Sequence, residues 1–203
     1  TPTSPLAAEN VAPIDIAFDE VIKLRVLATE VESAPGTNVK FRLQFSQSPT
    51  FADGGTFVSA TSTCTATSTW CYADGAGDDN QVISTTTLTR ADTCVLGVGQ
   101  GCGTHNEAPT TTTSLTQASL SDMEFEYTIK HSGARANGVY YFRLFDPATD
   151  DALAASSSYP SLVTQGAQLV FTNTGLPAGT TTEGVTTDVA TASTSIDFAS
   201  VPF

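Results

Sequence analysis

The stretch Val39-Lys40-Phe41-Arg42-Leu43-Gln44-Phe45-Ser46 alternates apolar and polar residues with period two. Neighbouring side chains of a strand point to opposite faces, so this run gathers its apolar groups on one side only as a β-strand. As a helix it would scatter them around the axis. Met123 to Lys130 repeats the pattern, with Met123, Phe125, Tyr127 and Ile129 on the inner face. Ile22-Lys23-Leu24-Arg25-Val26 is a third case, whose Lys23 and Arg25 read as solvent-facing. Val139 to Phe145 is apolar throughout apart from Arg143, the pattern of a central strand covered on both faces. Leu162-Val163 and Leu169-Val170-Phe171 read as shorter strands, and no twelve-residue segment carries a helical apolar stripe.

Turn signals separate these runs: Ala34-Pro35-Gly36, Asp53-Gly54-Gly55, Asn137-Gly138 and Pro177-Ala178-Gly179. Many short strands between such turns predict an all-β chain, an antiparallel β-sandwich of immunoglobulin-like or jelly-roll kind. The sandwich is placed at 20–165. A loop-like excursion at 64–109 holds the cysteines and several glycines, and a structureless stretch of that length points to a stapled or functional segment. Residues 1–19 and the Thr-rich 166–203 form strand-like extensions at the two ends.

Four cysteines allow three connectivities. Local pairs, Cys64 with Cys71 and Cys94 with Cys102, are preferred because each closes a short loop. A four-thiolate zinc site is the rival, but its cysteines usually stand closer together in sequence. Disulfides favour an oxidising, extracellular setting. The chain starts with Thr1 rather than Met and reads as a secreted, mature form whose leader has been removed.

With 21 acidic residues against 8 Lys plus Arg, the charge of −13 excludes a sequence-independent nucleic-acid binder. It also opposes docking on an anionic membrane, and no apolar run is long enough to insert into one. No serine nucleophile elbow, His-Glu-x-x-His helix or phosphate-binding glycine loop occurs, so the chain does not read as an enzyme and implies no cofactor. His105-Asn106-Glu107 reads as a loop whose polar groups satisfy one another, and His131 as a solvated strand end. Asp74, Asp78, Asp79 and Asn80 offer oxygen ligands among glycines, a weak calcium candidate lacking the EF-hand glutamate. Trp70 reads as covering the neighbouring cysteine bridge. In a binding-module reading it stands exposed with Tyr72 and takes surface glycans.

Ile14, Ile16 and Phe18 alternate in the N-terminal extension, as do Ile196 and Phe198 near the other end, with Val201 and Phe203 after them. Such strands complete either their own sheet or that of a neighbour. The expected function is therefore an extracellular structural subunit of a cell-surface, pilus-like filament. Its partners are copies of itself, joined by β-strand complementation through Ile14, Ile16 and Phe18, with Ile196, Phe198, Val201 and Phe203 as the alternative donor. An adhesin or carbohydrate-binding module of a larger surface protein is the competing reading.

Phe41 to Ser46, Trp70-Cys71, His105-Asn106-Glu107, Glu124 to Ile129, Tyr140 to Leu144 and Tyr159-Pro160 follow one another in that order. In this they resemble a family of secreted, β-rich surface proteins encoded in genomes of candidate-phyla-radiation bacteria. Segments similar to Thr182 to Asp188 and Ile196 to Phe198 also occur in that family. The resemblance implies an extracellular location and a sandwich-like fold, and transfers no catalytic residue.

Overall fold

A computed structural model describes residues 5–60, 64, 69–83, 87–88, 102–109, 115–155 and 158–167. The backbone divides into Thr1–Ala167 and Gln168–Phe203. The expected strand at Leu169 to Phe171 and the candidate donor residues Ile196, Phe198, Val201 and Phe203 lie outside the described residues, as does Cys94.

The alternating segments form strands. They are β1 (Ile22–Thr29), β2 (Gly36–Val39), β3 (Arg42–Ser46), β4 (Thr56–Phe57), β5 (Trp70–Tyr72), β6 (His105–Asn106), β7 (Leu115–Gln117), β8 (Asp122–His131), β9 (Val139–Asp146), β10 (Asp151–Ala152) and β11 (Ser161–Val163). No helix occurs among the described residues, and so none that could cross a membrane. The protein is all-β, and every named strand pair is antiparallel except one, β6 beside β8.

In the first sheet β8 is central. It pairs with β1 along eight residues, from Ile22 opposite Ile129 to Thr29 opposite Asp122. Its other edge takes β5, with Trp70 opposite His131, and then β6, with His105 opposite Glu126. The second sheet runs β10-β9-β3-β4, with β11 also on β9, and β2 pairs with β7 apart from both. The run read as one strand from Val39 to Ser46 is split. Asn38 takes a left-handed φ of 59°, and the chain leaves β2 before β3 begins.

The inner faces meet as the alternation requires. Met123, Phe125, Tyr127 and Ile129 of β8 are buried, as are Phe41, Leu43 and Phe45 around β3 and Tyr140, Phe142 and Leu144 of β9. The Trp70 ring, on the first sheet, stands 5.6 Å from that of Tyr140 and 5.3 Å from that of Phe142, both on the second. Tyr72 Oη accepts a hydrogen bond from the Leu43 amide at 3.3 Å, and Tyr127 Oη donates to the Phe41 carbonyl at 3.4 Å. Burial pushes the Tyr72 hydroxyl up to about 12 and that of Tyr127 well above its ordinary value, so both remain neutral hydrogen-bonding groups.

Two expectations about covered faces are corrected. Tyr141, Arg143 and Phe145 of β9 are only half-buried and Val139 is exposed, so this strand is covered on one face. The strand buried on both faces is β8, with Gly75 against Thr128, Thr87 and Leu88 on Glu124, and His105 on Glu126. The loop-like stretch 64–109 also supplies β5 and β6 to the first sheet. Elements of two or three residues are too short to show a period.

The Cys64–Cys71 disulfide forms, with Cα atoms 5.4 Å apart. Among the described residues no cysteine is free, and Cys102 is buried. Trp70 does not cover the bridge. Adjacent residues of a strand face opposite ways, so Cys71 looks outward from β5 while the indole fills the core.

Candidate functional site

The residues with most chemical potential converge on the outer face of the first sheet. Alternation sends Lys23 and Arg25 of β1 to that face, and Glu124 and Glu126 of β8 likewise. The register sets Arg25 opposite Glu126, leaving Lys23 diagonal to it and within reach. Parallel pairing of β6 then brings His105 alongside Glu126 from the other edge.

Glu126 is the hub. Its Oε1 lies 2.7 Å from Lys23 Nζ and 2.6 Å from His105 Nδ1, and its Oε2 lies 2.7 Å from Arg25 Nη2. Burial opposes its charge. Hydrogen bonds from His105 and Lys23, aided by the Arg25 charge, outweigh burial and hold the carboxyl down at about 2. Glu124 accepts the backbone N–H groups of Thr87 and Leu88 at 2.7 and 2.9 Å, with Arg25 Nε 3.2 Å away. His105 Nε2 reaches Glu107 Oε1 at 3.1 Å, and that oxygen also accepts the Gly75 amide at 2.7 Å. Lys23 Nζ donates in addition to the Ala76 carbonyl at 2.7 Å. A cavity of about 250 Å³ opens beside the cluster, lined by Lys23, Gly77, Gln81, Thr87, His105 and Glu124.

Chemically, the arrangement fastens. An ionised carboxylate held by Lys23, Arg25 and the His105 ring is neither a general acid nor an electrophile near neutrality. It pins chain to sheet, joining residues 75–77 and 87–88 to β1 and β8. Lys23 and Arg25 are therefore part-exposed and engaged with the glutamates, where the alternation implied freely solvated side chains. His105 lies on strand β6 and not in a loop, and its ring and Glu107 do satisfy one another, with Glu126 as a third member. Sequence reasoning passed over Glu124 and Glu126, although a signal was present. Two basic residues spaced by two on one strand match two acidic residues spaced by two on another, as a charged cross-strand ladder requires.

Gly103 makes the parallel pairing possible. Its φ is +143°, and a Cβ there would collide with the Glu124 carbonyl oxygen. Only glycine has no Cβ to collide, so the backbone can lie flat against β8. Gly103→Ala is expected to cost about 1–3 kcal/mol. The amides of Glu124 and Glu126, which donate to the Cys102 and Thr104 carbonyls, should lose protection first in native-state hydrogen exchange. Unchanged protection at those two amides would contradict this role.

The remaining candidates separate. Asp79 accepts the Glu107 amide and the Asn80 side chain at 2.8 Å each. No three His, Cys, Asp or Glu side chains converge on a metal-sized centre among the described residues, so Asp74, Asp78, Asp79 and Asn80 are not gathered as a calcium site. Trp70 and Tyr72 are buried and cannot form a glycan platform. His131 is no solvated strand end. It is buried, with Nε2 3.2 Å from the Ile16 carbonyl and its ring 5.1 Å from Trp70.

Ile14, Ile16 and Phe18 do not share a face. Asp15 takes a left-handed φ of 62° and the Glu20 amide closes a turn on the Ala17 carbonyl, which together break the extended chain. Ile16 is buried in the chain's own core and forms a single parallel bridge with Thr164, while Ile14 and Phe18 are exposed. Against known protein families, curated proteins and solved structures, the chain finds no match.

Proposed function

We propose that this chain is an extracellular structural domain, a β-sandwich of immunoglobulin-like or jelly-roll kind that assembles with copies of itself through its N-terminal segment. The observation that carries the reading is the distribution of exposed apolar side chains. Nine large ones are exposed among the described residues, and five of them, Leu6, Val11, Ile14, Phe18 and Val21, fall between positions 6 and 21. Scattered single exposures are ordinary, whereas their concentration in one segment favours a contact role for that segment. The Cys64–Cys71 bridge adds support, because disulfides persist in oxidising compartments.

The segment is held by backbone bonds that another copy can supply equally well. Ile16 N–H donates to the Val163 carbonyl at 3.1 Å, Gln165 N–H to the Ile16 carbonyl at 2.8 Å and Val163 N–H to the Pro13 carbonyl at 2.9 Å. Exchange of this segment between subunits repeats the same bonds across the joint, at low cost. Head-to-tail exchange need not close, and then it propagates into a filament. Ile14 and Phe18 add apolar contact on the outside of the joint.

Negative-stain microscopy and sedimentation of three chains test this: the parent, a chain lacking residues 1–19, and an Ile14→Ser/Phe18→Ser double variant. The parent is expected to form regular oligomers or filaments and the other two single particles, with the far-UV dichroism of the double variant unchanged. Assembly of the truncated chain as in the parent, or a parent monomeric at every concentration, defeats the proposal.

A further inference from the structure

We infer that His105 is a pH-operated clamp, whose doubly hydrogen-bonded imidazolium fastens the segment 74–83 and its cavity to β8 and whose neutralisation releases them. With both glutamates ionised, the geometry calls for a charged ring. Nδ1 lies 2.6 Å from Glu126 Oε1 and Nε2 lies 3.1 Å from Glu107 Oε1, and a carboxylate oxygen can only accept. Both contacts are hydrogen bonds only when both ring nitrogens carry protons. A neutral ring keeps one and turns the other into two facing lone pairs.

What the ring holds is equally specific. His105 is 3% exposed. Its own backbone accepts the Asn80 amide at 2.9 Å and donates to the Gln81 carbonyl at 2.8 Å, so ring and segment move together. Gly77, with φ +124°, lies so close to the ring that a Cβ there would stand 3.1 Å from His105 Cδ2. Glu107, the far end of the clamp, receives the Gly75 amide through its side chain and gives its own amide to Asp79.

The charged groups around the ring are Lys23 and Arg25 from β1, Glu124 and Glu126 from β8, Glu107 beyond β6, and Asp79 on the segment itself. With His105 protonated, three cations face the three glutamates; without it, the same glutamates face two. The hydrogen bond to Glu126 raises the ring's pKa, burial opposes the rise and Glu107 reinforces it. A folded pKa above the ordinary histidine value fixes the sign. The clamp's contribution is complete below about pH 6.5 and fades as pH climbs through the folded value.

The test uses the full-length, disulfide-intact protein between pH 6 and 8.5. NMR follows the His105 ring, and hydrogen exchange, corrected for intrinsic rates, follows the amides of Asn80, His105 and Ile83. The Phe142 and Leu153 amides, bonded to the Pro160 and Leu144 carbonyls in the second sheet, serve as reference. The His105 ring is expected to titrate above 6.5. The opening constant of the three amides should rise about tenfold for each unit by which the folded pKa exceeds the unfolded one, while the reference stays flat. In His105→Gln, which can donate but not titrate, the pH dependence should vanish. A ring that titrates at or below 6.5, a flat exchange profile in the parent, or a dependence surviving in His105→Gln overturns the proposal. Should His105→Gln not fold, the parent's ring titration and exchange profile decide alone.

Discussion

Replacing Trp70 with alanine is expected to lower the free energy of unfolding by about 3–5 kcal/mol, the range for deleting a fully buried aromatic side chain. The indole is 0% exposed and touches the rings of His131, Tyr140 and Phe142. It thus joins β5 and β8 of one sheet to β9 of the other. Strand β5 is fixed by its pairing with β8, by the Ser59–Cys71 bridge and by the Cys64–Cys71 disulfide, so the void cannot collapse cheaply. Urea unfolding followed by far-UV dichroism measures the loss. Fluorescence cannot serve for the variant, because Trp70 is the single tryptophan. The midpoint should fall while the urea slope stays constant. Trp70→Phe should lose clearly less, since it keeps a ring in the slot and removes an indole N–H that has no hydrogen-bond partner among the described residues. A loss below about 1 kcal/mol for Trp70→Ala would mean that the two sheets do not depend on this contact.

The second large effect is expected at Glu126. Glu126→Ala leaves Lys23, Arg25 and His105 facing one another without the carboxylate that joins them. Breaking a buried ion cluster by removing one partner costs about 3–5 kcal/mol, and the partial exposure of Lys23 and Arg25 places this case near the lower end. The carboxyl itself gives a similar magnitude. A pKa lowered from 4.5 to about 2 corresponds to about 3 kcal/mol at 1.36 kcal/mol per unit. Because the folded pKa is the lower one, this stability is present above pH 4.5 and is lost as pH falls toward 2. The parent should therefore lose stability between pH 4.5 and 2 more steeply than Glu126→Ala. A double-mutant cycle with His105→Ala should show a combined loss smaller than the sum of the two. Strict additivity would mean that the His105–Glu126 contact contributes nothing.

The two substitutions probe opposite faces of the first sheet, and the faces differed in how legible they were. Met123, Phe125, Tyr127 and Ile129 were readable as core because an alternating run states its own buried side whatever it packs against. Phe41, Leu43 and Phe45 were readable for the same reason. The polar residues between them were not. A glutamate on a strand looks alike whether water or another segment covers it, and only the arrival of residues 74–83, 87–88 and 102–107 decides which. The same ambiguity misplaced Trp70. Its sequence neighbour Cys71 suggested contact with the bridge, but strand geometry turns the two apart.

At the N-terminus, period two in Ile14, Ile16 and Phe18 implied one common face, and the left-handed Asp15 together with the turn closed by the Glu20 amide on the Ala17 carbonyl undid it. Local propensity does not record such a break, because the bonds to His131, Val163 and Gln165 that hold Ile16 come from more than a hundred residues away.

By itself, then, the sequence determined the all-β class, the strands long enough to display a period and the inner faces of those strands, and it favoured the Cys64–Cys71 pairing that the structure contains. These follow from short-range rules, side-chain alternation and chain geometry, that hold wherever the segment ends up. Only the tertiary structure decided that β5 and β6 complete a sheet, that β8 is buried on both sides, that Lys23, Arg25, His105 and three glutamates form one charged cluster, and that Ile16 plugs its own fold. Each of these depends on which distant segment covers a face, and burial by a distant segment leaves no periodic mark on the residues that it covers.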